Sequence, residues 1–231
     1  MKKLVFLTGA GISAESGITT FRDSGGLWEQ YPVEAVASIQ GYYRDPALVI
    51  QFYNERRRQL KTVEPNKAHQ LVAALEEKYD VCVVTQNVDN LHERAGSHRI
   101  IHLHGELTKA TSTDNPNDPS QVVTLADSED IHVGDKAKDG SQLRPFIVWF
   151  GEAVPMIEPA AEAVSEADIV VVIGTSLNVY PAAGLLGYAR SGAEIYLIDP
   201  SPNNVPGYLP VHIIAKKATE GMQELYDKLT R

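Results

Sequence analysis

The chain has 231 residues, with 21 Lys plus Arg against 30 Asp plus Glu and 43% hydrophobic residues. This length suits one large domain, or one domain that carries a smaller lobe. The formal charge of −9 argues against broad binding to nucleic acid or to anionic membranes, which requires basic surfaces. The single cysteine, Cys82, excludes internal disulfides and zinc sites built from several thiolates, and its apolar neighbours predict a buried thiol.

The sequence predicts no membrane-spanning helix, because it contains no run of eighteen or more apolar residues. The apolar run from Leu4 to Leu7 ends at Thr8 and passes directly into a glycine-rich turn. That pattern indicates a strand followed by a functional loop, not a signal peptide. We therefore expect a soluble protein in the cytoplasm.

Short apolar runs rich in β-branched residues alternate with helix-like segments. The clearest predicted strands are residues 4–8, 81–85, 169–173 and 194–198, and weaker ones are 100–103, 146–149 and 211–214. Helical spacing is clearest over residues 67–79, 159–167 and 219–229. Strands that are apolar throughout are typical of parallel sheets covered on both faces. The alternation predicts an α/β fold with a doubly wound, mostly parallel Rossmann-like sheet.

Two segments interrupt this alternation. Residues 21–62 form a long helical and loop excursion, and residues 107–143 are rich in Asp, Asn, Ser, Thr, Pro and Gly. Segments of this length are usually functional or belong to an accessory lobe. We predict one domain over residues 1–231, with small-lobe insertions at about 21–62 and 107–143.

The first strand leads into GAGISA at residues 9–14, a G-x-G-x-x-A pattern. Glycines let the backbone approach a pyrophosphate, although a tight strand-to-helix turn explains this motif equally well when it stands alone. Support comes from Gly174, Thr175 and Ser176 after the strand at 169–173, and from Asp199 after the next strand. These features predict a dinucleotide site at the sheet's switch point. A hydride-transferring dehydrogenase fits poorly, because no acidic residue closes a second strand roughly 20 residues after the glycines.

The blocks that follow resemble a known family. They are GAGIS at 9–13, GITTFR at 17–22, TQNVDNLH at 85–92, HLHG at 102–105, FGE at 150–152 and GTSL at 174–177. In this set and order the chain resembles the sirtuins, NAD-dependent protein-lysine deacylases. The resemblance covers nearly the whole chain apart from residues 107–143.

The resemblance implies that NAD is consumed. The acyl-lysine oxygen would attack C1′ of the nicotinamide ribose, and the products would be nicotinamide, free lysine and O-acyl-ADP-ribose. Catalytic roles fall on His104, as a base working near neutral pH, and on Asn87. Phe21 would shield the ribose carbon and Arg22 would face the phosphates. The full set expected to bind NAD is Gly9, Ala10, Gly11, Phe21, Arg22, Gln86, Asn87, Asp89, Gly174, Thr175, Ser176, Asp199 and Ala218.

A possible receptor for the acyl group is the Y-x-x-R pair formed by Tyr53 and Arg56. A spacing of three places both on one face of a helix, and Arg can bind a carboxylate with two hydrogen bonds. The pair looks like that of sirtuins that prefer succinyl-, malonyl- or glutaryl-lysine. A solvated basic helix is the alternative, because Arg56, Arg57 and Arg58 are consecutive. We predict that Arg56 carries the recognition.

The expected partners are acyl-lysine proteins or peptides, not nucleic acid or membranes. The resemblance implies that a substrate peptide lies as an added strand against an exposed edge. The residues expected there are Val148, Phe150, Gly151, Glu152 and Val179.

The pattern departs from the family where most sirtuins carry two zinc-binding cysteine pairs. No cysteine follows His104, and residues 107–112 occupy the place of the first pair. We therefore predict no metal site, with no His or acidic cluster at convincing ligand spacing. His102 is expected to have a structural role, and His69, His92, His98, His132 and His212 to be surface or packing residues.

Several alternatives stay open on sequence alone. They are a deacetylase without acidic-acyl preference, a non-catalytic NAD or ADP-ribose sensor, a mono-ADP-ribosyltransferase and, least favoured, a thiamine-enzyme middle domain.

Overall fold

The computed structural model describes residues 1–18, 31–126, 129–175, 182–202 and 210–231. The strands in these ranges are β1 (Lys3–Thr8), β2 (Asp80–Thr85), β3 (Ile100–His102), β4 (Gly105–Ser112), β5 (Val123–Thr124), β6 (Leu143–Ile147), β7 (Ile169–Ile173), β8 (Glu194–Ile198) and β9 (Val211–Ile214). The α-helices are α1 (Ala10–Ala14), α2 (Val33–Val36), α3 (Ile39–Arg44), α4 (Pro46–Leu60), α5 (Lys67–Ala74), α6 (Leu91–Arg94), α7 (Ile157–Ser165) and α8 (Ala218–Thr230). Short 3-10 helices cover Leu75–Glu77, Pro119–Gln121 and Ala182–Tyr188.

The main sheet has the order β3-β2-β1-β7-β8-β9, and each neighbouring pair is parallel. This confirms the predicted α/β fold. The strands end in register, since Thr8 at the end of β1 pairs with both Thr85 and Ile173. The loops that leave the carboxyl ends therefore meet at one edge. The direction of winding reverses between β1 and β7, which makes that gap the switch point where α/β sheets bind ligands.

Alternate residues of the strands feed two cores, one on each face of the sheet. Leu4 and Phe6 of β1 belong to the core that packs against α5 and α8. Val5 and Leu7 point to the opposite face, where they join Cys82 of β2. Cys82 is 2% exposed, and burial raises the pKa of its thiol. The prediction of a buried thiol is therefore confirmed.

Polar caps set where two of the long helices begin. Asp45 accepts from the Leu48 N–H over 3.0 Å ahead of Pro46, which occupies the first position of α4. Asn66 caps α5 by accepting from the Ala68 N–H over 2.9 Å. The predicted helix over residues 67–79 is shorter in the structure, because α5 ends at Ala74 and continues only as a 3-10 turn.

A second, antiparallel sheet forms a smaller lobe in the order β5-β4-β6. The sequence predicted an accessory lobe at residues 107–143 but not its strands, and this range contains most of the eight-residue strand β4. The predicted strand at 146–149 also ends earlier, at Ile147, and pairs with β4 in place of the parallel sheet. Gly105 starts β4 with φ +80, and a Cβ there would lie 2.0 Å from the Phe146 carbonyl oxygen.

A third core lies between the small sheet and helices α2 to α4. At its polar centre the Arg144 side chain, 1% exposed, donates to both carboxylate oxygens of Glu152 over 2.7 and 2.9 Å. The same guanidinium lies 3.7 Å above the Trp149 ring, which stacks on Tyr42. A charged arginine is tolerated here because its donors meet a carboxylate and its flat face meets an aromatic ring.

The turn after β4 is tied to the segment before β6 by a hydrogen-bond network. The Ser112 hydroxyl lies 2.5 Å from Asp139 Oδ2 and 2.9 Å from the Ser141 hydroxyl. Asn115 Nδ2 donates to the same Asp139 oxygen over 2.9 Å. Hydrogen bonds from Ser112, Asn115 and the Ser141 backbone lower the pKa of the Asp139 carboxyl. These contacts join the ends of the lobe where the sequence has no cysteine pair.

Candidate active site

The glycine turn after β1 packs directly on the turn after β7. The Gly9 N–H donates to the Ile173 carbonyl over 3.0 Å, and the Gly11 N–H donates to the Gly174 carbonyl over 2.9 Å. Gly174 has φ +62, and a Cβ on it would lie 2.4 Å from the Ile12 nitrogen. Bare backbone is therefore required at this switch point. The structure places the predicted residues Gly9, Ala10, Gly11, Gly174 and Thr175 together here.

The loop after β2 joins this pair of turns. Gln86 Nε2 donates to the Thr175 hydroxyl over 3.0 Å. Asn87 is buried, and its Nδ2 donates to the Gly9 carbonyl over 3.2 Å and to the Ser13 hydroxyl over 3.1 Å. Three predicted segments, distant in sequence, thus meet through side-chain hydrogen bonds at one edge of the sheet.

Asp89 is held by a polar chain that the sequence did not predict. The Ser13 hydroxyl donates to Asp89 Oδ2 over 3.0 Å, and His69 Nε2 lies 3.4 Å from the same hydroxyl. The Asn66 N–H donates to His69 Nδ1, which places the His69 proton on Nε2 and makes it the donor to Ser13. Burial lowers the pKa of His69 to about 4, so this imidazole is neutral. The only sequence feature that pointed to this polar chain was the position of Ser13 inside the GAGIS block.

His69 and His92 pack against each other beneath this loop, with ring centroids 4.9 Å apart. Both side chains are buried, which agrees with a packing role and not with a surface one. Burial lowers the pKa of His92 well below the usual histidine value. His92 Nε2 lies 3.2 Å from the Thr8 hydroxyl at the end of β1.

His104, the predicted base, follows β3 and reaches back to the same loop. Its Nδ1 lies 3.0 Å from the Gln86 carbonyl oxygen, which can only accept, so Nδ1 carries the proton. Burial lowers the pKa of His104, partly offset by that hydrogen bond. The neutral ring therefore keeps its lone pair on Nε2, as a general base requires.

His102 lies two residues away and is engaged differently. Its Nδ1 lies 3.2 Å from the Asn87 carbonyl oxygen and its Nε2 lies 2.7 Å from Glu93 Oε1. The ligand-type atoms of Glu93, His102 and Glu106 lie within 4.8 Å of one another, a grouping that the sequence spacing did not suggest. The Lys109 ammonium lies 2.7 Å from Glu106, so we treat this group as an ion-pair network.

The predicted adenosine-side residues lie at the far end of the same edge. Asp199 follows β8, and its Oδ1 accepts from the Ser201 N–H over 2.7 Å. Ala218 begins α8 and is buried. The next residue, Thr219, bonds to Glu15 through both its N–H and its hydroxyl. The roles of Asp199 and Ala218 in nucleotide binding stay predictions.

The predicted acyl receptor lies on α4. The Tyr53 ring is enclosed by Phe52 and Trp149, with centroids 5.1 and 6.1 Å away. The Arg56 guanidinium lies 5.8 Å from the centroids of both Tyr53 and Phe52. Burial raises the pKa of Tyr53, so the phenol keeps its proton and is a hydrogen-bond donor. The structure therefore brings the two predicted side chains together.

The predicted peptide edge at residues 148–152 is only partly open. The Phe150 N–H donates to the Ala37 carbonyl over 2.9 Å, and its carbonyl accepts from the Ile39 N–H over 3.0 Å. This corrects the expected free edge at Phe150, because its backbone is already paired, although its side chain is 51% exposed. The Val148 N–H donates to the His104 carbonyl, which links this segment to the base.

Glu152 and Gly151 support that segment from within. The Glu152 carboxylate accepts from Arg144 and from the Trp149 N–H. Its oxygens therefore stabilise the turn, whereas the sequence prediction was a substrate contact. Gly151 adopts φ +92 and lies close to Ile39. Four further predicted residues, Phe21, Arg22, Ser176 and Val179, lie outside the described residues.

No helix among the described residues has both the length and the apolar character needed to cross a bilayer.

Comparison with known proteins identifies the family of the chain. The Sir2 family model matches residues 9–181. An NAD-dependent protein deacylase of Bacteroides thetaiotaomicron is 62% identical over 226 residues, and the match covers 97% of each chain. An NAD-dependent protein deacylase of Helicobacter pylori is 53% identical over 231 residues, and the match covers 99% of this chain and 98% of the relative. A crystal structure of a Sir2 homologue with NAD superposes with a TM-score of 0.87 at 40% identity, covering 98% of this chain and 89% of that one. A Sir2 complex with a deacetylated p53 peptide and 3′-O-acetyl ADP-ribose gives a TM-score of 0.80 at 32% identity, covering 97% and 92%. The chain belongs to the Sir2 family.

Proposed function

We propose that this protein, an NAD-dependent protein deacylase, removes succinyl or malonyl groups from lysine in preference to acetyl groups. The observation that carries the preference is the direction taken by three consecutive arginines on α4. Only Arg56 lies against Tyr53, while its two neighbours are engaged elsewhere.

Arg57 and Arg58 both turn toward the small lobe. Arg57 is buried and donates to Asn54 Oδ1 over 2.8 Å and to the Glu129 carbonyl over 2.7 Å. Arg58 is exposed and pairs with Asp130 at 3.0 Å. This arrangement weighs against the alternative of a uniformly solvated basic helix, because the three side chains have three different environments.

Arg56 has the environment of an anion receptor. Its guanidinium is half-buried, and burial lowers its pKa, offset by Tyr53 and by Asp89. An arginine keeps its charge even so, because a guanidinium stays protonated far above neutral pH. A carboxylate on the acyl chain would meet this fixed charge together with the protonated Tyr53 hydroxyl. Asp89 raises the pKa of Arg56, which supports a receptor near the loop that carries Gln86 and Asn87.

The residues at the switch point fit a dinucleotide. Bare backbone at Gly9, Gly11 and Gly174 suits a pyrophosphate, and the amides of Gln86 and Asn87 suit ribose hydroxyls and a carboxamide. Bound NAD would supply the ribose carbon that accepts the acyl oxygen. His104 would accept a proton at Nε2, one water would be consumed, and the products would be nicotinamide, free lysine and O-acyl-ADP-ribose. Acyl-lysine peptides, docked near Val148 and Phe150, are the partners in this proposal.

The test compares one lysine peptide carrying either a succinyl or an acetyl group, with NAD and mass-spectrometric detection of O-acyl-ADP-ribose. For Arg56→Met we expect desuccinylation to fall by about 100-fold, the effect of losing a charge-assisted pair, and deacetylation to change by less than about threefold. Arg58→Met is the matched control, since it removes an exposed arginine from the same helix, and it should leave both rates unchanged.

Equal losses of both activities in Arg56→Met would exclude the acidic-acyl receptor and leave a deacetylase. Binding of NAD without turnover of either peptide would favour a sensor, and label from NAD retained on protein would favour an ADP-ribosyltransferase. A cytoplasmic location is part of the proposal and is tested by cell fractionation.

A further inference from the structure

Two histidines two residues apart bind consecutive carbonyl groups of one loop. His104 Nδ1 lies 3.0 Å from the Gln86 oxygen, and His102 Nδ1 lies 3.2 Å from the Asn87 oxygen. Both face the same way because side chains alternate along an extended chain. The loop they hold carries the two amides proposed to bind NAD.

The two rings differ in what faces the second nitrogen. A carbonyl oxygen and a carboxylate oxygen can only accept hydrogen bonds. In His102 both ring nitrogens face such acceptors, since Glu93 Oε1 lies 2.7 Å from Nε2. Both contacts are hydrogen bonds only if both nitrogens carry protons. The geometry therefore requires an imidazolium, whereas His104 works as a neutral ring.

We infer that His102 is a charged positioning residue. Its imidazolium is held by Glu93 and binds the Asn87 carbonyl, which fixes the position of the Gln86–Asn87 loop relative to His104. The inference rests on the proposed function for the roles of Asn87 and His104. His102 itself touches neither NAD nor the acyl group in this scheme. Its side chain is 9% exposed, so water offers little alternative partner for the carbonyl.

The charges around His102 come from α6, from β4 and from the loop after β2. Glu93 on α6 and Glu106 on β4 favour the imidazolium, and Asp89 in the loop is a further carboxylate nearby. His92 on α6 is also close but is neutral, and Lys109 is compensated by Glu106. Burial opposes the charge, but the hydrogen bond and charge of Glu93 outweigh it and raise the pKa of His102.

The direction of the pH effect follows from that raised pKa. The stabilisation that the His102 imidazolium provides is complete at pH values below the ordinary pKa of histidine. It is lost as the pH rises through the pKa of His102 in the folded protein. Activity should therefore fall on the alkaline side as His102 loses its proton. On the acid side it should fall as His104 gains one, which gives a bell-shaped profile.

The experiment measures kcat and KM of the full-length protein from pH 5.5 to 9.5, with a chelator present, for the wild type, Glu93→Gln and His102→Gln. We expect His102→Gln to lower kcat by roughly 10- to 100-fold, the effect of losing a hydrogen bond from a charged donor, with little change in peptide KM. Glu93→Gln should move the alkaline limb to lower pH by roughly 1 unit.

The matched control is Glu76→Gln, which disrupts a second His–Glu pair of the same chemistry. His98 Nδ1 lies 2.6 Å from Glu76 there, but the His98 side chain is 87% exposed. This variant should keep the wild-type profile. An alkaline limb that does not move in Glu93→Gln, or a His102→Gln variant with wild-type kcat, would overturn the inference.

Nitrogen NMR of the imidazole rings in the wild type is an independent arm that needs neither a variant nor turnover. We expect His102 to be doubly protonated at pH 7 and His104 to carry its single proton on Nδ1. A neutral His102 at pH 7 would overturn the inference. If the wild type deacylates no peptide, the proposed function fails, and the NMR result still decides the state of His102.

Discussion

The Nδ1–H of His104 donates to the main-chain carbonyl of Gln86, across 18 positions of sequence and 3.0 Å of space. This bond orients the ring and selects the tautomer with a free Nε2 lone pair. Because burial lowers the pKa of His104, the base is already neutral at a pH below its ordinary value near 6.5. This contact thus sets the direction and the tautomer of the proposed base, while burial sets its working pH range.

Replacing His104 by Ala should lower kcat by roughly 10²- to 10⁴-fold, the usual contribution of a general base. NAD binding, measured by calorimetry, should change by only a few-fold, since the proposed contacts of NAD are with other residues. The acid limb of the wild-type pH profile should lie below pH 6.5, because activity rises as the pH passes through the lowered pKa. His132→Ala, at an exposed histidine, is the control and should match the wild type. A variant at His104 with full turnover would contradict the assignment.

Local patterns in the sequence predicted the parallel sheet and an accessory lobe, but not the strands of that lobe. Runs such as Val81 to Thr85 are apolar on both faces, and only a buried parallel strand suits them. Strand β4 was missed because its side chains alternate weakly and its partner, β6, lies more than thirty residues away. Register between such distant strands is set by tertiary contacts, which periodicity does not encode.

The candidate site divides in the same way. The residues of the glycine turns and the Gln86 loop were predicted because each lies in a short block of sequence. The chain from His69 through Ser13 to Asp89 was not, since it joins a helix, a turn and a loop that only folding brings together. The partner of Arg144, Glu152, was likewise taken for a substrate contact, because nothing in the sequence shows that a buried cation already occupies it.

The contact between the two nucleotide turns can be tested with a matched pair of glycines. Gly174 and Gly192 both have positive φ, at +62 and +86, so an alanine at either costs about 1–2 kcal/mol in backbone strain. Of the two, only Gly174 would bring its added Cβ against backbone, at 2.4 Å from the Ile12 nitrogen, while at Gly192 no atom of the described residues lies within 4 Å. We expect the Gly174→Ala variant to unfold at a lower denaturant concentration than the wild type and to bind NAD at least about tenfold more weakly. Gly192→Ala should show the strain alone with normal NAD binding, and equal behaviour of the two variants would contradict the close packing described.

The last prediction concerns how the small lobe holds together where most family members use zinc. Ser112, Asn115 and Ser141 all bond to Asp139, and these bonds lower the pKa of its carboxyl. The ionised form of Asp139 therefore stabilises the fold at pH values above the ordinary carboxyl pKa of about 4. That stabilisation is lost as the pH falls through the pKa of Asp139 in the folded protein. Asp139→Asn should lower Tm at pH 7, and the gap to the wild type should narrow as the pH is taken below 4.

The control is Asp227→Asn, at an exposed aspartate on α8 that accepts from Gln223, and its Tm should match the wild type. Because the Asp139 network is built from hydroxyls, an amide and one carboxylate, it has none of the thiolates that structural zinc favours. Chelator treatment of tag-free protein should therefore leave the wild-type Tm unchanged, and elemental analysis should find no stoichiometric zinc. A chelator-induced fall in Tm would mean that a metal holds this lobe, because removing a metal cannot weaken a network that is made only of hydrogen bonds.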